Sequence, residues 1–152
     1  MQRRGVLFGL GAALTLPALP ARATASGIPA EAVVHDWYRL ILELVRHTAT
    51  YTPPVASRAF AYVGLSLFEA LAARPESALL SLTGRVNGLP ATPIAAPGLD
   101  PAAVAHGALC RAVEVFFVNT GPTGQRAMAA MKKRISDKLA SGLPAPALAA
   151  GV

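Results

Sequence analysis

The clearest pattern in the chain is a helix with one apolar face, between Val33 and Val45. Apolar side chains in this segment recur at three- and four-residue steps, which places them on one side of an α-helix. They are Val33, Val34, Trp37, Leu40, Ile41, Leu44 and Val45, and the polar positions between them are His35, Asp36, Arg39, Glu43 and Arg46. The pattern predicts one amphipathic helix that buries a single face.

The segment from Pro53 to Ala73 predicts a second helix of a different kind, because it is apolar on nearly every side. Thr52 can cap its start, Pro53 and Pro54 suit its first turn, and Pro75 stops it. A helix that is apolar all round belongs in the middle of a core. We therefore expect this helix to be the central rod of the fold, surrounded by other helices.

Two charged residues, Arg58 and Glu69, interrupt this apolar helix. Their spacing returns them to within about 20° of one another around the axis but roughly 16 Å apart along it, so they cannot pair directly. With Tyr62 and Ser66 they form a polar line down the helix. Buried charges are usually paired, so we expect both to meet side chains from other helices, beyond those this chain supplies. A substrate or proton path is the functional alternative.

The rest of the chain predicts two more helices after a long connection. Residues 75–99 are rich in proline and glycine and read as a connection with one helical turn at 77–82. Asp100 caps a third helix that runs to about Asn119. A fourth, from about Thr123 to Leu139, carries the apolar stripe Met128, Met131, Ile135 and Leu139. The sequence therefore predicts an all-α fold of about four helices, forming an incomplete bundle.

Residues 1–25 are typical of an export signal. Arg3 and Arg4 begin a charged segment, Gly5–Leu16 is a short apolar run, and small residues at 21–25 suit cleavage. The paired arginines indicate the twin-arginine route, with an ordinary secretory signal or an uncleaved anchor as alternatives. All three place the rest of the chain outside the cytoplasm, in the periplasm or the extracellular space.

Removing the signal changes the charge of the chain. The full sequence has a net charge of +6, and without its three signal arginines the balance falls to +3. The remaining basic cluster, at 132–134 with Lys138, lacks the interleaved aromatic residues of a nucleic-acid binder and reads as a solvated helix face. We therefore predict no nucleic-acid partner. Cys110 is the only cysteine, which rules out an internal disulfide.

The second helix raises the question of a membrane span. Residues 55–73 are almost long enough to cross a bilayer, but Arg58, Glu69 and the flanking prolines argue against it. We predict no stable span after signal cleavage.

The apolar end of the chain reads as part of the helical region up to residue 148, followed by a truncated linker or tail at 149–152.

The second helix also carries a family resemblance. The run from Pro53 to Tyr62 and the Glu69-Ala70 pair resemble the N-terminal helical region of bacterial vanadium-dependent haloperoxidase-like proteins, in the type 2 phosphatidic acid phosphatase superfamily. The resemblance covers residues 33–148. The motif positions are Pro53, Pro54, Ser57, Arg58, Tyr62 and Glu69.

The resemblance implies an oxyanion site for vanadate or phosphate that this chain does not contain. In the family that site lies in a later helical bundle, built from a Lys with an Arg-Pro, a Ser-Gly-His, and an Arg followed by a His. No Ser-Gly-His occurs in the sequence, the lysines are confined to positions 132, 133 and 138, and the only Arg-Pro, Arg74-Pro75, is in the wrong context. The resemblance thus implies vanadate for the parent family, but we assign no catalytic, cofactor-binding or metal-binding residue here. Whether the parent is a peroxidase or a phosphatase stays open, and we predict that this chain alone is inactive.

Other catalytic patterns are incomplete. Gly64–Phe68 begins like a nucleophile elbow but lacks the final glycine and lies inside a helix. His106 and Cys110 share one face of the third helix, yet a metal site needs two further ligands. Glu43, Glu69 and Glu114 form no acid and base pair at a defined spacing, and His35 and His47 read as surface or packing residues.

Two functions follow from these observations. The first is an exported N-terminal scaffold portion of a haloperoxidase-like or acid phosphatase-like protein, whose partners are the remaining helices of a longer parent chain or a partner subunit. The second is a small, self-contained periplasmic helical module that binds a partner.

Overall fold

The computed structural model describes residues 27–142, so the predicted signal at 1–25 and the tail from residue 143 lie outside it. In the described residues the chain forms four α-helices and no strand, which confirms the all-α prediction. The helices are α1 (Ala30–His47), α2 (Pro53–Ala72), α3 (Pro101–Phe116) and α4 (Gly121–Ala140).

The starts of α2 and α3 follow the predicted capping chemistry to different degrees. Pro53 and Pro54 occupy the first turn of α2 as expected, but the Thr52 side chain makes no capping hydrogen bond. At α3 the Asp100 carboxylate accepts hydrogen bonds from the backbone N–H groups of Ala102 and Ala103, at 2.8 and 3.0 Å. These bonds satisfy two of the donors that a helix start leaves without a helical partner.

The predicted ends of the helices differ from the observed ones by a few residues. α1 extends three residues before Val33 and two beyond Val45. α3 ends at Phe116 rather than near Asn119, and α4 begins at Gly121 rather than Thr123. Helix termini fray and depend on local capping, so a hydrophobic pattern fixes them poorly.

The central helix is α3, and the expectation that α2 would be the central rod is wrong. α3 contacts each of the other three helices, and nine of its sixteen residues are buried. Four of these are alanines, whose small side chains let neighbouring helices approach closely: Ala102, Ala103, Ala105 and Ala112. α2 buries only four residues, namely Ala56, Ala59, Val63 and Glu69.

α1 and α4 cover the other side of α3 and complete the main core. Trp37 and Ile41 from α1 belong to the same hydrophobic core as Ile135 and Leu139 from α4, and all four are almost fully buried. The predicted stripe on α4 is confirmed, because Met128 is buried with them and Met131 packs against the core.

α1 and α4 approach closely at Gly124. A Cβ atom at that position would lie 3.2 Å from the Leu44 side chain and 2.5 Å from that of Thr120. The glycine therefore sets the local spacing between the two helices.

The connection between α2 and α3 is held by side-chain hydrogen bonds rather than by helix. The predicted helical turn at 77–82 is wrong, since this stretch has no regular secondary structure. The Leu82 backbone N–H, which a helical turn would direct to a carbonyl one turn earlier, instead donates to the Glu69 carboxylate at 2.7 Å. An isolated bridge between Thr83 and Val86 closes a tight turn nearby.

Candidate functional site

Glu69 is a buried carboxylate whose partners lie in the same chain. It is 5% exposed, and Oε2 accepts from Ser81 Oγ at 2.7 Å while Oε1 accepts from the Leu82 N–H at 2.7 Å. Thr92 Oγ1 donates to Oε2 at 3.3 Å. The hydrogen bonds from Ser81 and Leu82 lower the pKa of this carboxyl below its usual range, because they favour the charged form. The expectation that Glu69 takes its partner from another, missing helix is therefore wrong.

Arg58 does not lie in the core. Its side chain is exposed, as is that of Ser57, and among residues 27–142 it makes no hydrogen bond or ion pair. Because Arg58 faces solvent while Glu69 faces the connection, the predicted polar line divides between two environments. The two charges share no path through the protein.

Tyr62 and Ser66 lie on the outer surface of α2. The Tyr62 ring is 46% exposed and stacks on the Phe116 ring of α3, with centroids 5.3 Å apart. Ser66 Oγ donates to the Tyr62 backbone carbonyl at 2.8 Å, which satisfies the hydroxyl within its own helix. Ser66 is therefore a packing residue with no activated hydroxyl.

A shallow apolar groove runs between α2 and α3 on this surface, with a cavity volume of about 450 Å³. We call it the α2–α3 face. It is lined by Ser66, Glu69, Ala70, Thr92, Ala108, Arg111, Ala112, Val115 and Phe116, and the Tyr62 ring stacks on Phe116 beside it. Nearby apolar side chains are also open to solvent, since Val55 is 47% exposed and Val118 is 59% exposed. By length and composition alone α2 could cross a membrane, but soluble core helices can meet the same criterion.

The opposite side of α3 contains a buried hydrogen-bonded chain that the sequence analysis did not predict. Trp37 Nε1 donates to His106 Nδ1 at 3.1 Å, and His106 Nε2 lies 3.0 Å from Ser136 Oγ. His106 is 1% exposed, and burial followed by the charge of Lys132 lowers the pKa of its imidazole. The ring is therefore neutral at physiological pH. The sequence signal was an apolar-face tryptophan on α1 and a lone histidine on an apolar stretch of α3.

The tautomer of His106 excludes a serine nucleophile at this place. Because Nδ1 accepts a hydrogen bond from Trp37, the proton of the neutral ring is on Nε2, which donates to Ser136 Oγ. A general base for a serine needs an unprotonated nitrogen facing the hydroxyl. The hydrogen bonds of His106 with Trp37 and Ser136 link α1, α3 and α4 and do not activate the Ser136 hydroxyl.

Cys110 lies on the wall of a second cavity of about 250 Å³, between α1, α3 and α4. Its thiol donates to Glu114 Oε1 at 3.5 Å, and Lys132 Nζ donates to the same oxygen at 3.0 Å. Burial and the neighbouring Glu114 charge raise the pKa of the thiol, so it stays protonated. A protonated thiol that donates to Glu114 is not poised as a nucleophile.

His106 and Cys110 share a helix but not a site. His106 bonds to Trp37 and Ser136, whereas Cys110 bonds to Glu114. Among residues 27–142 no three His, Cys, Asp or Glu side chains come together in a way that could hold a metal ion.

Three of the five basic side chains of α4 are directed at carboxylates. Lys132 pairs with Glu114 at 3.0 Å and Lys133 with Asp137 at 2.7 Å, while Arg134 reaches Asp36 of α1 at 3.0 Å. An oxyanion such as vanadate needs several cationic donors converging on one point beside an available histidine. Lys132, Lys133 and Arg134 do not converge, and both ring nitrogens of His106 are occupied, so this group of residues does not fit vanadate.

The remaining histidines lie at the surface of α1. His35 is exposed, and His47 lies 3.2 Å from Glu43 with both side chains largely open to solvent.

In comparisons with known proteins, no protein family, curated protein or solved structure matches the chain.

Proposed function

We propose that this chain is the exported N-terminal scaffold portion of a vanadium-dependent haloperoxidase-like or acid phosphatase-like protein. It acts by docking the α2–α3 face against the remaining helices of a longer parent chain or a partner subunit. One observation carries the proposal. α2 is twenty residues long and strongly apolar, yet it buries only four of them in this fold. Such a helix gains stability when further apolar surface is covered.

The polar clusters support a structural role over a catalytic one. Glu69 holds a connection, His106 bridges three helices, and the Cys110 thiol stays protonated. Each group is occupied by the fold and none is poised as a nucleophile, a general base or an anion ligand. The family assignment is supported by the motif that opens α2, and export by the pattern of residues 1–25.

The proposal is tested first by activity. The purified chain supplied with vanadate, peroxide and bromide or chloride should show no halide oxidation, while a complete haloperoxidase serves as the positive control. Clear vanadate-dependent turnover would contradict the scaffold role. The gene provides a second test, since an open frame continuing beyond Val152 should encode the Lys and Arg-Pro, Ser-Gly-His and Arg-to-His motifs. A continuing frame without them removes the family assignment.

The second candidate is a self-contained helical interaction module, and the closed core favours it. Within residues 27–142 every fully buried side-chain nitrogen and oxygen has a hydrogen-bond partner. A cooperative thermal melt of monomeric Ser26–Val152 supports this module. Aggregation, or a broad transition with exposed apolar surface, supports a scaffold that needs the rest of its parent.

A further inference from the structure

We propose that the cavity between α1, α3 and α4 binds a small, uncharged aromatic molecule that carries one hydroxyl group. This cavity, of about 250 Å³, shares no lining residue with the α2–α3 face, so the inference goes beyond the proposed docking function and is independent of it. It rests on the reason the cavity exists, on its apolar floor and on the paired charges at its mouth.

The cavity exists because two facing helix stripes carry too little side-chain volume to fill the space between them. Cys110 and Ala129 are small, and the Gln125 amide is held elsewhere, since its Nε2 donates to the Val118 carbonyl at 2.8 Å. An apolar protein cavity of about 150 Å³ can take up benzene, so this larger one has room for a benzene ring and a substituent. The stripes are Cys110, Val113 and Glu114 on α3 and Gln125, Met128, Ala129 and Lys132 on α4, and Trp37 of α1 completes the lining.

The floor of the cavity suits an aromatic ring. Trp37, Val113 and Met128 line it and are buried. The indole N–H of Trp37 is already bonded to His106, so Trp37 offers the cavity the apolar surface of its ring. Aromatic rings pack favourably on other aromatic rings and on methionine sulfur. A flat ring should therefore bind better than a saturated ring of similar size.

The mouth of the cavity opens to solvent and carries one charge of each sign. Glu114, Ala129 and Lys132 are exposed. Lys132 Nζ donates to Glu114 Oε1 at 3.0 Å, and the Cys110 thiol donates to the same oxygen at 3.5 Å. Arg111, which is 3.8 Å from Glu114, lines the α2–α3 face instead. The two charges in the cavity lining therefore offset each other.

This pairing favours an uncharged ligand over a charged one. An anion would compete with Glu114 for Lys132, and a cation would compete with Lys132 for Glu114. A hydroxyl group both donates and accepts hydrogen bonds, so it can bond to the carboxylate and the ammonium while the ion pair stays intact. Phenol, which is neutral at physiological pH, combines such a hydroxyl with the ring that suits the floor.

The test uses Trp37 as the reporter, because it is the only tryptophan and lines the cavity. Titration of the purified chain with phenol should change Trp37 fluorescence, excited where phenol does not absorb, with a Kd on the order of 1 mM. Fluorobenzene keeps the ring but loses the hydroxyl, and should bind about fivefold more weakly. Cyclohexanol, benzoate and benzylamine change the ring or the charge, and should also bind more weakly than phenol.

Substitutions at exposed positions of α4 locate the site. Ala129→Leu fills the cavity from its edge and should abolish phenol binding, while Ala130→Leu, at the next position and outside the lining, should keep it. Lys132→Met leaves the Glu114 carboxylate unbalanced and should shift the preference from phenol to benzylamine. Lys133→Met removes an equal charge outside the lining and should leave the preference unchanged. All four variants should keep the far-UV circular dichroism of the wild type.

Four results would overturn the inference. Unchanged Trp37 fluorescence at every soluble phenol concentration means that the cavity takes no such ligand. Equal binding of phenol and fluorobenzene reduces the cavity to an apolar packing gap. Tighter binding of benzoate or benzylamine than of phenol to the wild type assigns it to a charged ligand. Phenol binding that survives Ala129→Leu places the ligand elsewhere on the protein.

Discussion

The two sides of α3 differ in how completely they are covered. On the side of α1 and α4, Trp37, Ile41 and Ile135 are almost fully buried and a hydrogen-bonded chain crosses three helices. On the side of α2, Val115 and Tyr62 remain about half exposed around an open groove. Closed packing of the first kind specifies one arrangement of helices, whereas the second kind leaves apolar surface for another element.

Two of the buried polar groups, His106 on the closed side and Glu69 on the open side, have different structural roles. His106 bonds to side chains on two other helices, so it fixes how α1 and α4 sit on α3. Glu69 bonds to the connection that follows its own helix, so it fixes a loop. Removing the first should disturb the whole core, and removing the second should disturb a local segment.

The largest effect is expected from Trp37→Ala on the closed side. The change opens a large cavity and leaves His106 Nδ1 without its donor, which should lower the free energy of unfolding by about 3–5 kcal/mol. Urea unfolding followed by far-UV circular dichroism measures it, because Trp37 is the only tryptophan and fluorescence disappears with it.

Two further variants sharpen that result. Trp37→Phe keeps most of the ring but removes the donor, and should cost about 1–3 kcal/mol. Leu42→Ala lies on the same helix with its side chain 56% exposed, and should change stability by no more than about 0.5 kcal/mol. A loss for Leu42→Ala as large as that for Trp37→Ala would show that the closed side is not the main core.

Glu69→Ala should have a smaller and more local effect. Without the carboxylate, the Leu82 N–H and the Ser81 hydroxyl lose their acceptor and the connection loosens. We expect a fall in Tm of about 5 °C and exchange of the Leu82 amide hydrogen at least about tenfold faster. Glu31→Ala, at an exposed position in the first turn of α1, is the control. Unchanged exchange at Leu82 would contradict the role assigned to Glu69.

The sequence predicted the helices better than their places in the fold. Periodic apolar residues and capping signals located all four helices, because these are local properties. The predicted position of α2 was wrong because composition does not distinguish an apolar helix that is buried on all sides from one whose apolar surface is still exposed. The bonds of Glu69 and His106 join residues 12 to 69 positions apart, and local pattern carries no signal for such pairs.

The pH dependence of stability should distinguish the two buried polar groups. Burial holds the pKa of His106 below its ordinary value of 6.5, so the unfolded chain binds a proton that the folded chain excludes. Stability should therefore fall as pH is lowered through about 6.5, by no more than about 1.4 kcal/mol per unit. The lowered pKa of Glu69 affects stability at lower pH. Its charged carboxylate stabilises the fold above pH 4.5, and this stabilisation is lost as the pH falls further.

Urea midpoints measured between about pH 7 and pH 5 test the first window. In the His106→Gln protein the urea midpoint should change less with pH over this range, whatever the effect of the substitution on overall stability. His35→Gln, at an exposed position of α1, should leave the pH dependence unchanged. If the urea midpoint of the His106→Gln protein depends on pH as strongly as that of the wild type, a group other than His106 causes the pH dependence.

The smallest effect on stability is expected on the open side, and it sharpens the comparison most directly. Val115→Ser and Val118→Ser replace side chains that are 49% and 59% exposed, so each should change the free energy of unfolding by no more than about 0.5 kcal/mol. The double variant should nevertheless bind less of an apolar fluorescent dye, because Val115 lines the groove and Val118 is an exposed apolar side chain just after α3. Leu42→Ser removes an equally exposed side chain from α1 and controls for apolar surface in general. If both proteins lose dye binding equally, the open side of α3 is not a distinct apolar surface. If the Val115/Val118 double variant alone loses dye binding while keeping its stability, residues that contribute little to folding form a distinct apolar surface, as the proposed docking role requires.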